Sequence, residues 1–160
     1  VKAAVNRKLK YFYLLRRLQA VTIYNKTGRD LRMAKIEGVC REIMDKAEWI
    51  SIATTGVDGP HLAATWGDYI RKLGFVNDEM ILVPLFGFRT TERNLLSDNR
   101  IEVLCTTKLV PSTISLGRGC RIRGKGHIET SGKHFAAARD AFSWARAVLV
   151  INVEETHLQL

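Results

Sequence analysis

The segment GCRIRGKGHIET, Gly119 to Thr130, alternates strictly. Cys120, Ile122, Gly124, Gly126 and Ile128 fall on one side of an extended chain, and Arg121, Arg123, Lys125, His127 and Glu129 fall on the other. A period of two marks a strand with one buried and one wet face, because successive side chains point to opposite sides of a sheet. The glycines at 124 and 126 strip side chains from the inner face, which predicts tight curvature or a close backbone approach there. A strand of this kind needs neighbours of the same kind.

The rest of the chain supplies them. EWISIATT is rich in β-branched residues and ends at the turn GVDGP, and HLAATWGDYIRKL follows as its hairpin partner. Along that second strand Thr65 and Tyr69 share one face and Trp66 lies on the other, so the two aromatics do not form one core stripe. GFVNDE reverses the chain, and MILVPLF is a short apolar run expected to be a buried strand. Pro84 cannot donate to a ladder, so one side of that strand should face something other than a strand. RIEVLCTT and RAVLVINVEETHLQL complete the strands, and KLVPSTISLGRG is a loop.

Three helices are predicted. IEGVCREIMDKA places Ile36, Val39, Cys40, Ile43, Met44 and Ala47 on one stripe. TTERNLLSDN reads as a short helix starting at Thr90 or Thr91. SGKHFAAARDAFSWA carries Phe135, Ala138, Ala141 and Phe142 on one side. About six strands, two or three short helices and long hairpins instead of βαβ units give a mainly β fold with flanking helices, a small closed barrel.

At 160 residues the chain is the length of one domain with one core. No apolar run approaches the roughly 18 to 20 residues that span a bilayer. Cys40, Cys105 and Cys120 are odd in number and widely spaced, which argues against a disulfide framework and against a CxxC metal site. They are expected to be buried free thiols in a reducing cytoplasm.

The net charge of +9 invites a nucleic-acid partner, but it is lopsided: residues 1–32 carry +8 and the remaining 128 residues carry +1. The nearly neutral body disfavours nucleic acid as the main partner. The asymmetry predicts a basic extension over 1–32 attached to a domain over 33–160. The extension has three readings: an amphipathic helix docking on the body or an acidic surface, a loosely ordered basic arm, or translated sequence upstream of Met33. Its longest apolar run, YFYLL, is too short for a secretory signal.

The strongest local feature is strand, loop, helix in MILVPLFGFRTTERNLL. A helix start offers unpaired N–H groups and the positive end of its dipole, Arg89 adds a full charge, and Thr90 or Thr91 adds a hydroxyl. These residues suit an anion site, and equally an ordinary capped surface helix with its arginine in solvent. GxxxxGK[ST] and GxGxxG loops are absent. A planar ligand lying along the HLAATW strand would account for Thr65, Trp66 and Tyr69, whereas the plainer alternative is one core tryptophan and one rim tyrosine. The four histidines show no metal-ligand spacing, and no Ser or Cys nucleophile has a recognisable partner signature. Arg118, Arg121 and Arg123 are most simply a solvated strand face.

In this order the motifs DGPHLAATW, ILVPLFGFRTTERN, RIRG and FSWARAVLVINV resemble the FMN-binding split barrels related to pyridoxamine 5'-phosphate oxidase, over roughly residues 38–160. The closest likeness is to the family's small bacterial FMN-binding type. The resemblance implies a six-stranded split barrel that binds FMN non-covalently. It implies a flavin phosphate held by Arg89 and Thr90, and a strand beside the flavin at Ala64, Thr65 and Trp66. In that strand alanine replaces the family's Asn, which removes one polar contact. It implies further support from Val83, Pro84 and Leu85. Members of the family are homodimers with flavins at the interface, so Trp144 and Leu160 would approach the partner's flavin. The family's true oxidases continue past the last strand with an Arg- and His-bearing segment, and EETHLQL is not such a segment. Electron transfer or reduction of a small acceptor is therefore implied in preference to pyridoxamine phosphate oxidation, with no residue required as acid or base. The alternative is a flavin-free dimer of the same fold that binds haem or nucleic acid.

Overall fold

A computed structural model describes residues 34–159. Seven strands form one antiparallel sheet in the order β2-β1-β5-β6-β7-β4-β3: β1 Trp49–Gly56, β2 Gly59–Trp66, β3 Phe75–Val76, β4 Met80–Leu85, β5 Arg100–Thr107, β6 Arg118–Glu129 and β7 Ala147–Gln159. Helices α1 Gly38–Lys46, α2 Gly67–Leu73, α3 Arg89–Ser97 and α4 Gly132–Ala141 flank it.

The sheet is mainly β and barrel-like but unclosed, because β2 and β3 are edge strands that do not pair with each other. Helices stand in the gap. The short α2 packs on β4 and on the β1–β2 hairpin, and α3 packs on β1, β2 and β6. This is the split barrel that the family resemblance implies, open where the element pattern alone suggested closure, with seven strands instead of six through the two-residue β3. Asn77 and Asp78, both with positive φ, make the tight turn from β3 to β4.

Alternation sets the core. Ile50, Ile52, Ile101, Val103, Cys105, Cys120 and Ile122 point inward from β1, β5 and β6, and Ile43 and Met44 of α1 cover them together with Ile36 just before the helix. Strand β4 and the first half of β7, residues 147–151, are buried on both faces, which is why they read as apolar runs. Ile81, Val83, Leu85, Leu149 and Ile151 join that core, while Leu82, Val148 and Val150 meet Ala138, Phe142 and Ala145 on the α4 side. Each such side chain, fully buried, contributes about 1.5–3 kcal/mol.

Gly124 shows the close approach that its place in the inner face implies. A Cβ there would lie 2.1 Å from the Asn152 carbonyl oxygen, at the register shift where β7 bulges against β6.

Two local expectations are corrected. The strand HLAATW stops at Trp66, and GDYIRKL is the helix α2, so Tyr69 does not share a strand face with Thr65. Gly67 turns the chain: a Cβ there would collide with the Ala47 carbonyl oxygen, and Tyr69, Ile70 and Leu73 then follow helical spacing. The cysteines are not all free. Cys40 of α1 and Cys120 of β6 are disulfide-paired with their Cα atoms 5.4 Å apart, and only Cys105 remains a free, buried thiol. The pair is separated by 80 positions, and only the docking of α1 onto β6 brings its members together. The basic extension and Leu160 lie outside the described residues.

Candidate functional site

Strand β4 ends at Leu85, residues 86–88 form a short loop, and α3 begins at Arg89. The helix starts one residue before the expected threonines, because Phe88 turns left-handed (φ 65°, ψ 25°) and no side chain caps the end. Its buried face is Thr91, Asn94 and Leu95, at the i, i+3, i+4 spacing of one helix side. The N–H groups of its first turn have no intrahelical acceptor.

The Thr91 side chain is fully buried and its Oγ1 has no hydrogen-bond partner. A buried hydroxyl without a partner is costly unless something else satisfies it. Thr90 is half-buried and Arg89 is exposed. Arg89 makes only a loose contact with Glu92, 3.4 Å from Nη1 to Oε2, so its charge is free to turn to an anion at little cost.

Arg146, which no sequence pattern singled out, organises this loop. Its Nε donates to the Phe86 carbonyl oxygen at 2.5 Å and its Nη2 to the Gly87 carbonyl oxygen at 2.5 Å, and Nη2 also meets the Glu92 carboxylate. Its sequence signal was its place beside Trp144 in the motif FSWARAVLVINV, which gave it no role.

The remaining candidates divide by face. Thr65 points into the core opposite Ile50, while Ala64 and Trp66 are exposed on the outer face. Trp66 sits opposite Trp49 on that face, and the two indoles are 52% and 60% exposed. The side chains of Val83, Pro84 and Leu85 are buried, so these residues offer their backbone. Strand β3 pairs only with Met80 and Ile81, which leaves the outer edge of β4 beyond Ile81 without a strand partner among the described residues. Pro84, lacking an N–H, lies in that unpaired stretch, as the sequence suggested. Trp144 stacks in its own chain with Tyr69 (5.4 Å between ring centroids) and Phe142 (5.2 Å), and Leu160 is not described.

A cleft of about 620 Å³ opens elsewhere, between Lys46, Trp49, Lys108, Arg118 and Gln159. None of the candidate residues lines it, and its one link to them is Trp49 opposite Trp66. Arg121 and Arg123 pair with Glu102 across the β5–β6 ladder, which makes them a solvated, charge-paired face. Among the described residues no group of three or more His, Cys, Asp or Glu side chains is placed to hold a metal, and no helix is long and apolar enough to cross a membrane.

An unclosed antiparallel barrel, with a helix in its gap starting beside a bare strand edge, defines the split-barrel class. No family model matches the chain. An FMN-binding protein of Nitratidesulfovibrio vulgaris (strain Miyazaki F) is 36% identical over 118 residues, spanning 74% of this chain and 93% of the relative. Among solved structures, a HupZ variant from Group A Streptococcus aligns with a TM-score of 0.61 at 19% identity, over 78% of this chain and 99% of that one. An FMN-binding protein from Syntrophomonas wolfei aligns with a TM-score of 0.55 at 15% identity, over 75% and 88%. The structures support the fold; the identity and coverage of the Nitratidesulfovibrio relative settle the family. The chain belongs to the FMN-binding split-barrel family related to pyridoxamine 5'-phosphate oxidase.

Proposed function

We propose that this chain binds FMN non-covalently as a homodimer with flavin at the interface, and acts in electron transfer or as a small oxidoreductase. The observation that carries this is the start of α3: a helix end with no side-chain cap, next to the fully buried and unpartnered Thr91 hydroxyl. A phosphate with about two negative charges satisfies such a site.

Arg89 and Thr90, with the free N–H groups, hold the phosphate. The side chains of Ala64 and Trp66 and the backbone of Thr65 border the ring on one side, and the backbone of Val83, Pro84 and Leu85 supports it on the other. Trp144 reaches the partner's flavin. The flavin supplies the redox chemistry, while the protein supplies anchorage, stacking and exclusion of water.

Self-association is supported by the outer face of β1, β2 and β5. There Leu62 lies opposite Ala53, Ala64 opposite Ser51, Trp66 opposite Trp49, and Leu104 flanks Ser51, so large apolar side chains are exposed side by side.

Denaturing the purified protein should release FMN in about one equivalent per chain. In the apo-protein, Arg89→Ala should weaken FMN binding by roughly 2 to 3 kcal/mol, the worth of a charge-assisted contact. A protein that takes up no FMN, or an unchanged affinity in Arg89→Ala, contradicts the proposal.

A further inference from the structure

We infer that Arg146 is a positioning residue: it turns the loop between β4 and α3 into an anion acceptor and so sets the preference for phosphorylated over unphosphorylated flavin. The inference rests on the phosphate site proposed above and adds the residue that builds it.

In a trans peptide the N–H points opposite to the C=O. By holding the carbonyl oxygens of Phe86 and Gly87, the Arg146 guanidinium turns the N–H groups of Gly87 and Phe88 to the far side of the loop. Neither N–H has a hydrogen-bond partner among the described residues. Left-handed Phe88 followed by helical Arg89 is the backbone alternation that gathers successive N–H groups into an anion-binding concavity. Without Arg146, both carbonyl dipoles are free to rotate toward the same space and repel an anion.

Glu92 gives the guanidinium a second task. Its carboxylate lies in the first turn of α3, within 3.4 Å of Arg89 and in direct contact with Arg146. A carboxylate there competes with a phosphate for Arg89. Glu92 bridges the two arginines, but its closer contact is with Arg146, so Arg89 is left with the looser one and remains available to an anion. The arginine is itself well anchored: its backbone N–H donates to the Leu85 carbonyl oxygen at 2.9 Å, next to the pair formed by Leu85 and Ala147.

The test compares dissociation constants for FMN and riboflavin in the apo-forms of the wild type, Arg146→Gln, Arg146→Lys and the double variant Arg146→Gln with Glu92→Gln, with thermal melts recorded alongside. Arg146→Gln should lose FMN affinity by about tenfold or more, one charge-assisted contact's worth, while riboflavin affinity stays level. Arg146→Lys, a point charge without the planar fork, should fall between, and it carries the test if Arg146→Gln does not fold. The double variant should recover part of the loss, because the released carboxylate is gone. Equal losses for FMN and riboflavin, or an unchanged ratio, would overturn the inference and reduce Arg146 to a structural tie. Arg89→Ala separates the two levels. If it lowers the FMN-to-riboflavin ratio while Arg146→Gln does not, only this inference fails; if it leaves the ratio unchanged, the phosphate site itself fails.

Discussion

Asn94 of α3 donates from Nδ2 to the Thr54 hydroxyl of β1 at 3.1 Å, and both side chains are buried. Its Oδ1 fills the space where a Cβ on Gly56 would sit, so helix and hairpin approach each other most closely there. This contact fixes how α3 stands in the gap of the sheet, and thereby where its first turn lies.

Asn94→Ala should therefore cost about 1–3 kcal/mol, because it strands the Thr54 hydroxyl in the core. Thr54→Val should cost a similar amount, and the double variant less than the sum, since the two share one bond. A double-mutant cycle by urea unfolding measures this. Additive losses would show that the pair is not coupled.

Thr91→Val separates folding from binding. The Thr91 hydroxyl has no partner, so an isosteric methyl should leave the apo-protein as stable as the wild type or slightly more so. FMN affinity should fall by about 1 kcal/mol or more as one donor is lost. Calorimetric melts and fluorescence titration read the two effects. A destabilised apo-protein with intact FMN affinity would place the hydroxyl's role in the fold.

Glu129 gives a pH dependence. Partial burial pushes its carboxyl up, but hydrogen bonds with His127 at 3.1 Å and His134 at 3.2 Å outweigh this, so its pKa lies below the usual 4.5. A depressed carboxylate contributes stability above its unfolded pKa and loses it as pH falls. The stability gap between wild type and Glu129→Gln should thus be present near neutral pH and shrink as pH drops below about 4.5 toward the native value. Denaturant titrations across that range check it, and a gap independent of pH would remove the carboxylate from the account.

The cysteines should titrate unequally. Burial pushes the Cys105 thiol up to about 12, so it stays unreactive in the folded protein. A maleimide should label no cysteine in the native state, one after unfolding without reductant, and all three after reduction. Closing a loop of about 80 residues is worth roughly 4.5 kcal/mol in the chain-entropy account, so reduction should lower the melting temperature clearly. Three labelled thiols on unfolding without reductant would mean that Cys40 and Cys120 are not joined.

What the sequence disclosed and what it hid have one physical cause. Periodicity is local, so the α1 stripe, the alternation of β6 and the doubly buried β4 were legible, and Gly124 was recognisable as a site of close approach. The end of β2 was not, because HLAATWGDYIRKL holds apolar residues at both spacings and the turn depends on non-local contacts of Gly67 and Arg71 with the chain around Ala47. The start of α3 came a residue early because it depends on the φ of Phe88 and on no capping side chain. The Cys40–Cys120 bond, the Arg146 clamp and the Asn94–Thr54 contact join residues 40 to 80 positions apart, where no spacing rule reaches. The motif that suggested an anion site pointed to the right loop while missing the residue that shapes it.

The most direct measurement is the affinity of the wild-type apo-protein for FMN against riboflavin, two ligands that differ only by the phosphate. An anion site at the start of α3 requires FMN to bind tighter, on the order of a hundredfold, with the advantage falling as salt rises. Equal affinity for the two flavins would contradict the account.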